Sequence, residues 1–429
     1  MKATLYRNAR VWTPVDAGTP AGGPLQGRVA SWERGVLLCR GDRIARVGDE
    51  REILAAVTPV DVGAEVDCGG RCMIPGFVDP HTHLCFTRPR EREFLSRLEG
   101  AGYLEELKKG GGILSSVAAV RAAGEAELFE ATKARAEACL RLGTTTVEIK
   151  SGYGLSTEAE LKQLRVIARV GRETPLSVVP TFLGAHAVPP EFQGDPEGYV
   201  ELLVGEMLPA VARAGAARFC DVFCEEGVFS IAHARRILGA ARAAGLGAKI
   251  HADEIHDTGG AGLAAELSAV SADHLLAASE ANLAAMAAAG VVAVLLPAAA
   301  YSLRKPYAPA RRMVEIGLPV AVATDCNPGS SFTESMPFVF GLSVVQMGLS
   351  VAEALVAATL NAAYAVGLGR EAGCLAPGRR ADFLLLDGET PGVLAFHAGV
   401  SPVRSVFKAG RLVHGAASAA ELGGSREAG

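Results

Sequence analysis

Two histidines with one residue between them follow an apolar segment in the string Val78-Asp79-Pro80-His81-Thr82-His83. Alternate side chains of a strand point to the same side, so His81 and His83 are expected to converge while Thr82 points away. Two converging imidazoles can bind one metal ion. Such a pair can also be a solvated turn, so the choice depends on whether the chain offers further ligands.

Two later segments supply candidate ligands of this kind. Residues 247–251 form a short apolar segment that ends in His251, with Glu254 three residues further on, and the apolar segment 319–324 is directly followed by Asp325. Three histidines and one carboxylate are the nitrogen and oxygen ligands that Zn²⁺ or a similar first-row divalent ion prefers. The sequence therefore predicts a metal centre with one coordination position left for water.

Segments of two kinds alternate along the middle of the chain, and they must position these ligands. Apolar, β-branched segments predict strands, and alanine-, leucine- and arginine-rich segments have the apolar spacing of amphipathic helices. Strands that are apolar on both faces fit a closed parallel (β/α)8 TIM barrel better than an open doubly wound sheet. The candidate ligands then lie at strand C-termini, the face where such barrels place their active sites. The predicted strands are 73–79, 144–150, 176–182, 219–224, 248–251, 269–274, 291–297 and 320–325, and the predicted helices include 125–142, 157–170, 231–244 and 278–289.

The two ends of the chain differ from the middle. Residues 3–66 and 381–413 contain short strand patterns and glycine turns with little helical periodicity, which predicts one small β-sandwich domain built from both termini. We predict domain parts at 1–70, 71–370 and 371–415, the middle one being the barrel, and a disordered tail at 416–429. The Pro- and Gly-rich segment 13–27 is expected to be a loop.

Composition places the chain among ordinary globular proteins. It has 429 residues, of which 49% are hydrophobic and 21% charged, and its formal net charge of -5 provides no broad basic field for nucleic acid or an anionic membrane. The 9 cysteines include no Cys-x-x-Cys pair, which favours buried free thiols in a reducing compartment. The first ten residues do not resemble a secretory signal, so a cytoplasmic location is expected. The uncharged segment 283–303 is predicted to be a helix end, a turn and a buried strand.

The metal-ligand pattern and the barrel resemble the amidohydrolase superfamily of metal-dependent hydrolases. Longer strings narrow the resemblance to the branch that hydrolyses the cyclic amide of imidazolone propionate in histidine degradation. These strings occur in the expected order over nearly the whole chain. They are Glu148-Ile149-Lys150-Ser151-Gly152-Tyr153-Gly154-Leu155, Pro180-Thr181-Phe182-Leu183-Gly184-Ala185-His186, Asp221-Val222-Phe223-Cys224-Glu225, Ser271-Ala272-Asp273-His274-Leu275 and Thr324-Asp325-Cys326-Asn327-Pro328-Gly329-Ser330.

The resemblance implies a set of roles for individual residues. One divalent ion per subunit, Zn²⁺ or iron, would be bound by His81, His83, His251 and Asp325. Substrate contacts would come from Arg90, Tyr153, His186, Glu254, Asn327, Gly329 and Ser330. The catalytic groups would be Glu254, His274 and Asp325. The substrate would be imidazolone propionate together with water, and the product N-formimino-L-glutamate.

Each substrate contact has a chemical rationale and a structural alternative. The guanidinium of Arg90 suits the propionate carboxylate, although Arg88 in the same run could share or replace that role. Tyr153 follows a strand end between glycines that let the backbone aim the phenol inward; otherwise it is a core tyrosine. His186 could contact the imidazolone oxygen or the carboxylate, or stabilise its loop. The string 327–330 is a turn that can also present polar groups to a ligand.

The chemistry implied is metal-assisted hydrolysis of a cyclic amide. A bound metal lowers the pKa of its water to about 7, so hydroxide becomes available near neutral pH. Glu254, His274 and Asp325 would orient the water and move its proton, and the sequence leaves open which of them is the general base.

Two other functions remain open from the sequence. A purine or pyrimidine deaminase of the same superfamily shares this ligand plan, and the discriminating feature is the carboxylate-binding end of the pocket at Arg90 and Tyr153. A non-catalytic relative would normally have lost ligands, and all four ligand positions are intact.

The choice between zinc and iron is also open. A homodimer is expected because barrels of this kind commonly pair.

Overall fold

The computed structural model describes residues 2–56, 62–99 and 111–416. Its strands, numbered in chain order, belong to two sheets. They are β1 (Ala3–Pro14), β2 (Val29–Arg40), β3 (Arg43–Asp49), β4 (Val62–Asp67), β5 (Cys72–Pro75), β6 (Phe77–Asp79), β7 (Thr144–Lys150), β8 (Ser177–Ala185), β9 (Phe219–Cys224), β10 (Gly247–Ala252), β11 (Ser271–His274), β12 (Val292–Leu295), β13 (Val320–Val322), β14 (Phe383–Leu386), β15 (Val403–Lys408) and β16 (Arg411–Gly415).

Most helices connect successive strands of the sheet formed by β6 to β13. They are Glu50–Ala55, Glu91–Leu98, Ile113–Ala122, Glu125–Arg141, Thr157–Glu173, Pro196–Leu202, Leu208–Ala214, Ile231–Ala243, Gly260–Glu266, Glu280–Ala289, Pro297–Leu303, Ala310–Glu315, Met336–Val345, Val351–Ala358, Leu360–Ala365 and Val393–Phe396, with 3-10 turns at Gly23–Gly27 and Pro190–Phe192 and a π turn at Leu203–Met207.

Strands β6 to β13 form the barrel. Each pairs in parallel with the next along the chain, and helices connect them. The strands are buried on both faces, as in β7 and β9, where every residue is buried. Apolar residues on both faces are expected when helices cover the outside and side chains fill the inside. The prediction of a (β/α)8 barrel is confirmed.

The first and last barrel strands are tied together at their C-terminal ends. The carboxylate of Asp79 accepts hydrogen bonds from the backbone N–H of Thr324 at 3.1 Å and from its hydroxyl at 2.6 Å. Beyond the strands, Asp325 N–H donates to the His81 carbonyl at 3.1 Å, and His83 N–H donates to the Cys326 carbonyl at 2.9 Å. The closure of the barrel therefore places two segments with candidate metal ligands side by side.

The small β domain predicted from both termini is present as a mixed sheet in the order β16-β15-β14-β5-β1-β2-β3, with β4 paired to β1. The prediction of one strand at 73–79 is wrong in detail. Cys72–Pro75 pairs with β1 and β14 in the terminal sheet, and Phe77–Asp79 begins the barrel. Gly76 permits the crossing between sheets, because a Cβ there would lie 2.3 Å from Oγ1 of Thr145.

The predicted loop at 13–27 contains the end of β1 and a 3-10 turn, and it is anchored under the barrel. The buried side chain of Gln26 donates to the carbonyl of Val320 at 2.8 Å and accepts from its N–H at 3.0 Å. Asn361 accepts from Ala21 N–H at 2.7 Å and donates to the carbonyl of Ala21, to Gln26 and to the carbonyl of Val320, each at 2.9 Å. These amides hold the loop against β13 through bonds between residues that are 294 apart, for Gln26 and Val320, and 340 apart, for Ala21 and Asn361.

The uncharged segment 283–303 consists of the end of a helix, a turn at Gly290 and the buried strand β12, as predicted, and of a second helix from Pro297 that was not predicted. Among the described residues, no helix combines the length and the apolarity that crossing a membrane requires. All nine cysteines are buried free thiols, in agreement with the sequence. Residues 417–429 of the predicted tail lie outside the described residues, and the domain boundaries at 70 and 370 stay predictions.

We expect Asn361→Ala to lower the free energy of unfolding by about 2–4 kcal/mol, because it leaves the buried groups of Ala21, Gln26 and Val320 without their partner. Denaturant unfolding measures this change. The exposed Gln346→Ala serves as the control and should stay within about 0.5 kcal/mol of the parent. A loss below about 1 kcal/mol in Asn361→Ala would contradict a structural role for the amide network.

Candidate metal centre and active site

Four side chains converge at the C-terminal end of the barrel. Nε2 of His83 lies 3.2 Å from Nε2 of His81 and 3.4 Å from Nε2 of His251, and Oδ1 of Asp325 lies 3.5 Å from Nε2 of both His81 and His83. All four residues are buried. The structure thus brings together the four ligands predicted from the sequence.

The hydrogen bonds of two histidines decide which ring nitrogen faces the centre. Nδ1 of His81 lies 2.6 Å from Oδ2 of Asp273, and Nδ1 of His251 lies 3.1 Å from Oδ1 of Asp221. A carboxylate can only accept, so each Nδ1 carries the hydrogen and each Nε2 keeps its lone pair. This arrangement orients ligating histidines in metal sites.

The geometry of this cluster fits a divalent cation. Metal–nitrogen bonds of about 2.0–2.1 Å in a tetrahedron separate neighbouring ligand atoms by roughly 3.3 Å, close to the 3.2–3.5 Å found here. Lone pairs that face each other at this distance repel unless a cation lies between them. The donor set of three imidazoles and one carboxylate suits Zn²⁺ or iron and would leave room for water.

His274 and Glu254 lie beside this cluster. Ligating nitrogens of His81, His251 and His274 lie within 4.8 Å of one another, so His274 also approaches the centre. Nδ1 of His274 lies 3.7 Å from Oε1 of Glu254. The structure therefore brings the three candidate catalytic side chains, Glu254, His274 and Asp325, into the wall of one cavity.

Burial governs the protonation of this region. It lowers the pKa of His81 and His83, with help from neighbouring cationic groups, so both rings are neutral and able to ligate. Burial also lowers the pKa of His274. It raises the pKa of Glu254 to about 7 and, together with the nearby Glu254 carboxylate, raises the pKa of Asp325. A cation in the centre would oppose the effect on Asp325.

Two site residues have left-handed backbone conformations that are unfavourable for side chains other than glycine. The φ angle is 77° at His274 and 53° at Asp325. Such conformations cost about 1–3 kcal/mol each and persist only where the surroundings enforce them. Both residues lie where a barrel strand meets its loop, and the unusual turn directs their side chains to the centre.

A cavity of about 520 Å³ opens above the ligand cluster. His81 does not line the cavity. The other predicted ligands and the catalytic residues do, namely His83, His251, Asp325, Glu254 and His274. The predicted substrate contacts that line it are Arg90, Tyr153, His186, Glu254, Asn327 and Ser330. Its volume suits a small molecule.

Arg90 forms one end of this cavity. Its Nε donates to Glu93 at 2.9 Å and its NH1 donates to Ser116 at 2.7 Å. The guanidinium packs on Gly329, where a Cβ would lie 1.9 Å from NH2, so Gly329 contacts the arginine itself. Arg88 is exposed and does not line the cavity. The sequence did not indicate Arg97, which lines the same end and donates to the Gly329 carbonyl at 2.8 Å.

The loop that carries Tyr153 is fixed by a buried carboxylate. Glu160 accepts from the backbone N–H groups of Gly152, Gly154 and Leu155 at 3.1, 2.8 and 2.8 Å. His186 lies next to this loop, with Nδ1 3.0 Å from the Gly152 carbonyl. The phenol and the imidazole are thereby held side by side, with ring centroids 5.3 Å apart.

The side chain of Asn327 is used within its own turn. Its Oδ1 accepts from the N–H groups of Gly329 and Ser330, both at 2.8 Å, and its amide donates to the Asp325 carbonyl at 2.8 Å and to the Ser330 hydroxyl at 2.9 Å. The predicted turn at 327–330 is therefore present, and Asn327 and Ser330 lie in the cavity wall, while a contact of this turn with a ligand stays a prediction.

A set of charged residues inside the barrel, below the ligand cluster, was not predicted from the sequence. They are Glu148, Lys150, Asp221, Lys249 and Asp273, and all are fully buried. Carboxylates outweigh the burial of Lys150 and raise its pKa, and His251 and Lys150 lower the pKa of Asp221 despite burial. A signal was present, since Glu148 and Lys150, and likewise Lys249 and His251, are charged or polar residues two apart in apolar strands.

Known proteins resemble this chain in sequence. The model of the amidohydrolase family matches residues 72–413. A relative named imidazolonepropionase, from Syntrophobacter fumaroxidans, is 64% identical over 408 residues, which cover 95% of this chain and 96% of the relative. Another of the same name, from Desulfotalea psychrophila, is 58% identical over 414 residues, covering 96% and 100%.

Solved structures resemble it in fold. The guanine deaminase of E. coli superposes with a TM-score of 0.72 at 16% identity, covering 97% of this chain and 100% of the deaminase. A 5-methylcytosine deaminase from Klebsiella pneumoniae gives 0.71 at 18% identity, covering 96% and 98%. At these identities the likeness shows the fold alone. The family model spans most of the chain, and the sequence relatives match nearly all of it, so the chain belongs to the amidohydrolase family.

Proposed function

We propose that this protein hydrolyses the ring amide of 4-imidazolone-5-propanoate to N-formimino-L-glutamate, with one Zn²⁺ or iron ion per subunit bound by His81, His83, His251 and Asp325. The observation that carries the proposal is a cavity with a ligand cluster at its base and the Arg90 guanidinium at one end. A substrate with a cyclic amide and a propionate arm matches both features. The two relatives named imidazolonepropionase support this choice of substrate.

Substrate binding follows from the groups that line the cavity. Arg90 would bind the propionate carboxylate, since a guanidinium binds a carboxylate strongly. Tyr153 and His186, held by the Glu160 loop, would contact the ring and the arm. The turn at 327–330 would add polar groups at the wall. The ring carbonyl then lies toward the ligand cluster.

The reaction adds water across one bond. A bound divalent cation supplies Lewis-acid activation of water and of the carbonyl. Glu254 accepts a proton from the attacking water as the new C–O bond forms, and neutral His274 stabilises the developing oxyanion. Glu254 then returns the proton to the ring nitrogen as the C–N bond breaks, which leaves the formimino group and a carboxylic acid that ionises by losing its proton to solvent. We assign the base role to Glu254 because Asp325 is directed at His81 and His83.

The remaining parts of the proposal concern assembly and location. We expect a homodimer in the cytoplasm of the cell. A groove of about 480 Å³ between the helices Met336–Val345 and Val393–Phe396 exposes Val345 (67%), with Phe396 (91%) and Val400 (54%) nearby, and a second copy could cover such apolar surface. Sedimentation equilibrium that finds only monomer would contradict the dimer.

The direct test is to incubate the purified, metal-assayed protein with imidazolone propionate and to follow the loss of the ultraviolet absorption of the substrate. We expect turnover that a chelator abolishes and that Zn²⁺ or Fe²⁺ restores, because the water must be activated. Unchanged substrate together with ammonia release from guanine or cytosine would favour a deaminase instead. No turnover of any of these compounds by the metal-loaded protein would favour a non-catalytic relative.

Arg90→Met should reduce kcat/KM for imidazolone propionate by about 30- to 150-fold, equivalent to roughly 2–3 kcal/mol for a lost charged hydrogen-bond pair. Steady-state kinetics measures the loss, and metal content should not change. Arg88→Met is the matched control, because Arg88 is exposed and outside the cavity. Equal activity in Arg90→Met and in the parent would refute the carboxylate assignment.

Glu254→Gln should lower kcat by about 10²–10⁴-fold with metal content unchanged, as expected for loss of a general base. Burial raises the pKa of Glu254 to about 7, and the base acts in its ionised form, so kcat/KM of the parent should rise with pH through neutrality. The exposed Glu266→Gln is the control. A variant that keeps both its rate and the ascending limb of the profile would exclude Glu254 as the base.

A further inference from the structure

Five charged side chains are fully buried inside the barrel and take no part in the chemistry above: Glu148, Lys150, Asp221, Lys249 and Asp273. The interior of such a barrel is normally filled by branched apolar side chains. Burying charges is costly unless they are paired, and an apolar replacement is often as stable. The presence of this cluster therefore requires a reason other than stability.

Lys150 is the centre of this cluster. Its Nζ lies 2.8 Å from Oδ2 of Asp221, 2.9 Å from the Glu148 carboxylate and 3.8 Å from Oδ2 of Asp273. Lys150, Asp221 and Asp273 belong to β7, β9 and β11, which are alternate strands of the barrel. Alternate strands contribute side chains to the same interior layer, so one lysine can reach both aspartates.

The same two aspartates accept the Nδ1–H groups of the ligands. Asp273 lies 2.6 Å from Nδ1 of His81, and Asp221 lies 3.1 Å from Nδ1 of His251. Each carboxylate thus lies near both Lys150 and a histidine, and in Asp273 the same oxygen, Oδ2, faces both. One ammonium group is shared by the two contacts that fix the tautomers of two metal ligands.

We propose that Lys150 is a positioning residue for the metal centre, holding Asp221 and Asp273 where they orient His251 and His81; this inference rests on the proposed metal-dependent function. Without the ammonium, three buried carboxylates within a few ångströms of one another repel. The aspartates then move away from the Nδ1 atoms, and each ring is free to carry its hydrogen on Nε2, where it blocks ligation.

The neighbouring lysine cannot substitute for Lys150. Nζ of Lys249 donates to the carbonyl of Pro80 at 2.8 Å and lies 3.0 Å from Glu148, with Asp273 at 3.9 Å. In the part of the chain that the structure describes, no ion pair within 4.0 Å joins Lys249 to Asp221, so the main effect of Lys249 is on Glu148 and on the backbone that precedes His81. Glu148 keeps a cationic partner in Lys249 when Lys150 is removed, whereas Asp221 loses its lysine.

The test compares two buried lysines. Lys150→Met and Lys408→Met both remove an ammonium that is paired with a buried aspartate, and Lys408 pairs with Asp382 at 2.5 Å between the barrel and the terminal sheet. Each protein is stripped of metal, checked for folding by circular dichroism and titrated with Zn²⁺ against a chromophoric chelator. We expect Lys150→Met to bind Zn²⁺ about 10- to 100-fold more weakly, the usual effect of losing an outer-shell partner. Lys408→Met should stay within about threefold of the parent, although it is less stable.

Unchanged Zn²⁺ affinity in folded Lys150→Met would overturn the inference while leaving the proposed function intact. A parent protein that binds neither Zn²⁺ nor Fe²⁺ would overturn both. If Lys150→Met does not fold, the double variant Lys150→Met with Glu148→Gln removes one charge of each sign and keeps an acceptor oxygen for Lys249. Weak binding by the double variant supports the positioning role, and affinity equal to that of the parent shows that Lys150 only balances charge.

Discussion

The site depends on three imidazole lone pairs and one carboxylate that point at the same small volume. The ligand atoms of His81, His83, His251 and Asp325 lie 3.2–3.5 Å from a neighbour in the cluster. The Nδ1 contacts of His81 and His251 direct their Nε2 lone pairs into this volume, and the four groups are buried away from water. The rest of the fold must hold them there until a cation binds, which is why so many surrounding contacts fix orientation and contribute little apolar packing.

The barrel meets this constraint by three kinds of restraint. Carboxylates from inside the barrel orient the rings of His81 and His251. Backbone hydrogen bonds across the closure between β6 and β13 fix the position of Asp325 relative to His81. Left-handed turns at His274 and Asp325 direct side chains that a regular strand end would turn elsewhere. Each restraint acts on a different degree of freedom, namely ring orientation, strand position and side-chain direction.

Much of the fold and of the ligand cluster could be predicted from the sequence, because both depend on local sequence patterns. The two-residue repeat of a strand predicts that His81 and His83 lie on the same side. The alternation of strands and helices predicts the barrel. The helix predicted at 125–142, for example, is found at Glu125–Arg141. The split of the segment 73–79 could not be predicted, because the apolar pattern continues across Gly76 while the partners change. The contacts of Asn361 with the loop at Ala21, and those of Lys150 with two other strands, depend on pairs that are distant in sequence. Such contacts form only when the barrel closes, so no local sequence pattern reveals them.

The two ends of the cavity differ in what they can select. The ligand cluster activates water and the carbonyl, and this chemistry would serve an amide or an amidine equally well. Selection must therefore come from the other end of the cavity, where Arg90 is the carboxylate contact that we propose; in the structure its guanidinium donates to Glu93 and to Ser116. A substrate carboxylate shares the arginine with Glu93, but it gains a charged hydrogen-bond partner that is already oriented, whereas an uncharged ring gains no ionic contact there. The contacts with Glu93 and Ser116 hold Arg90 over Gly329, so little further ordering of the arginine is needed when a carboxylate binds.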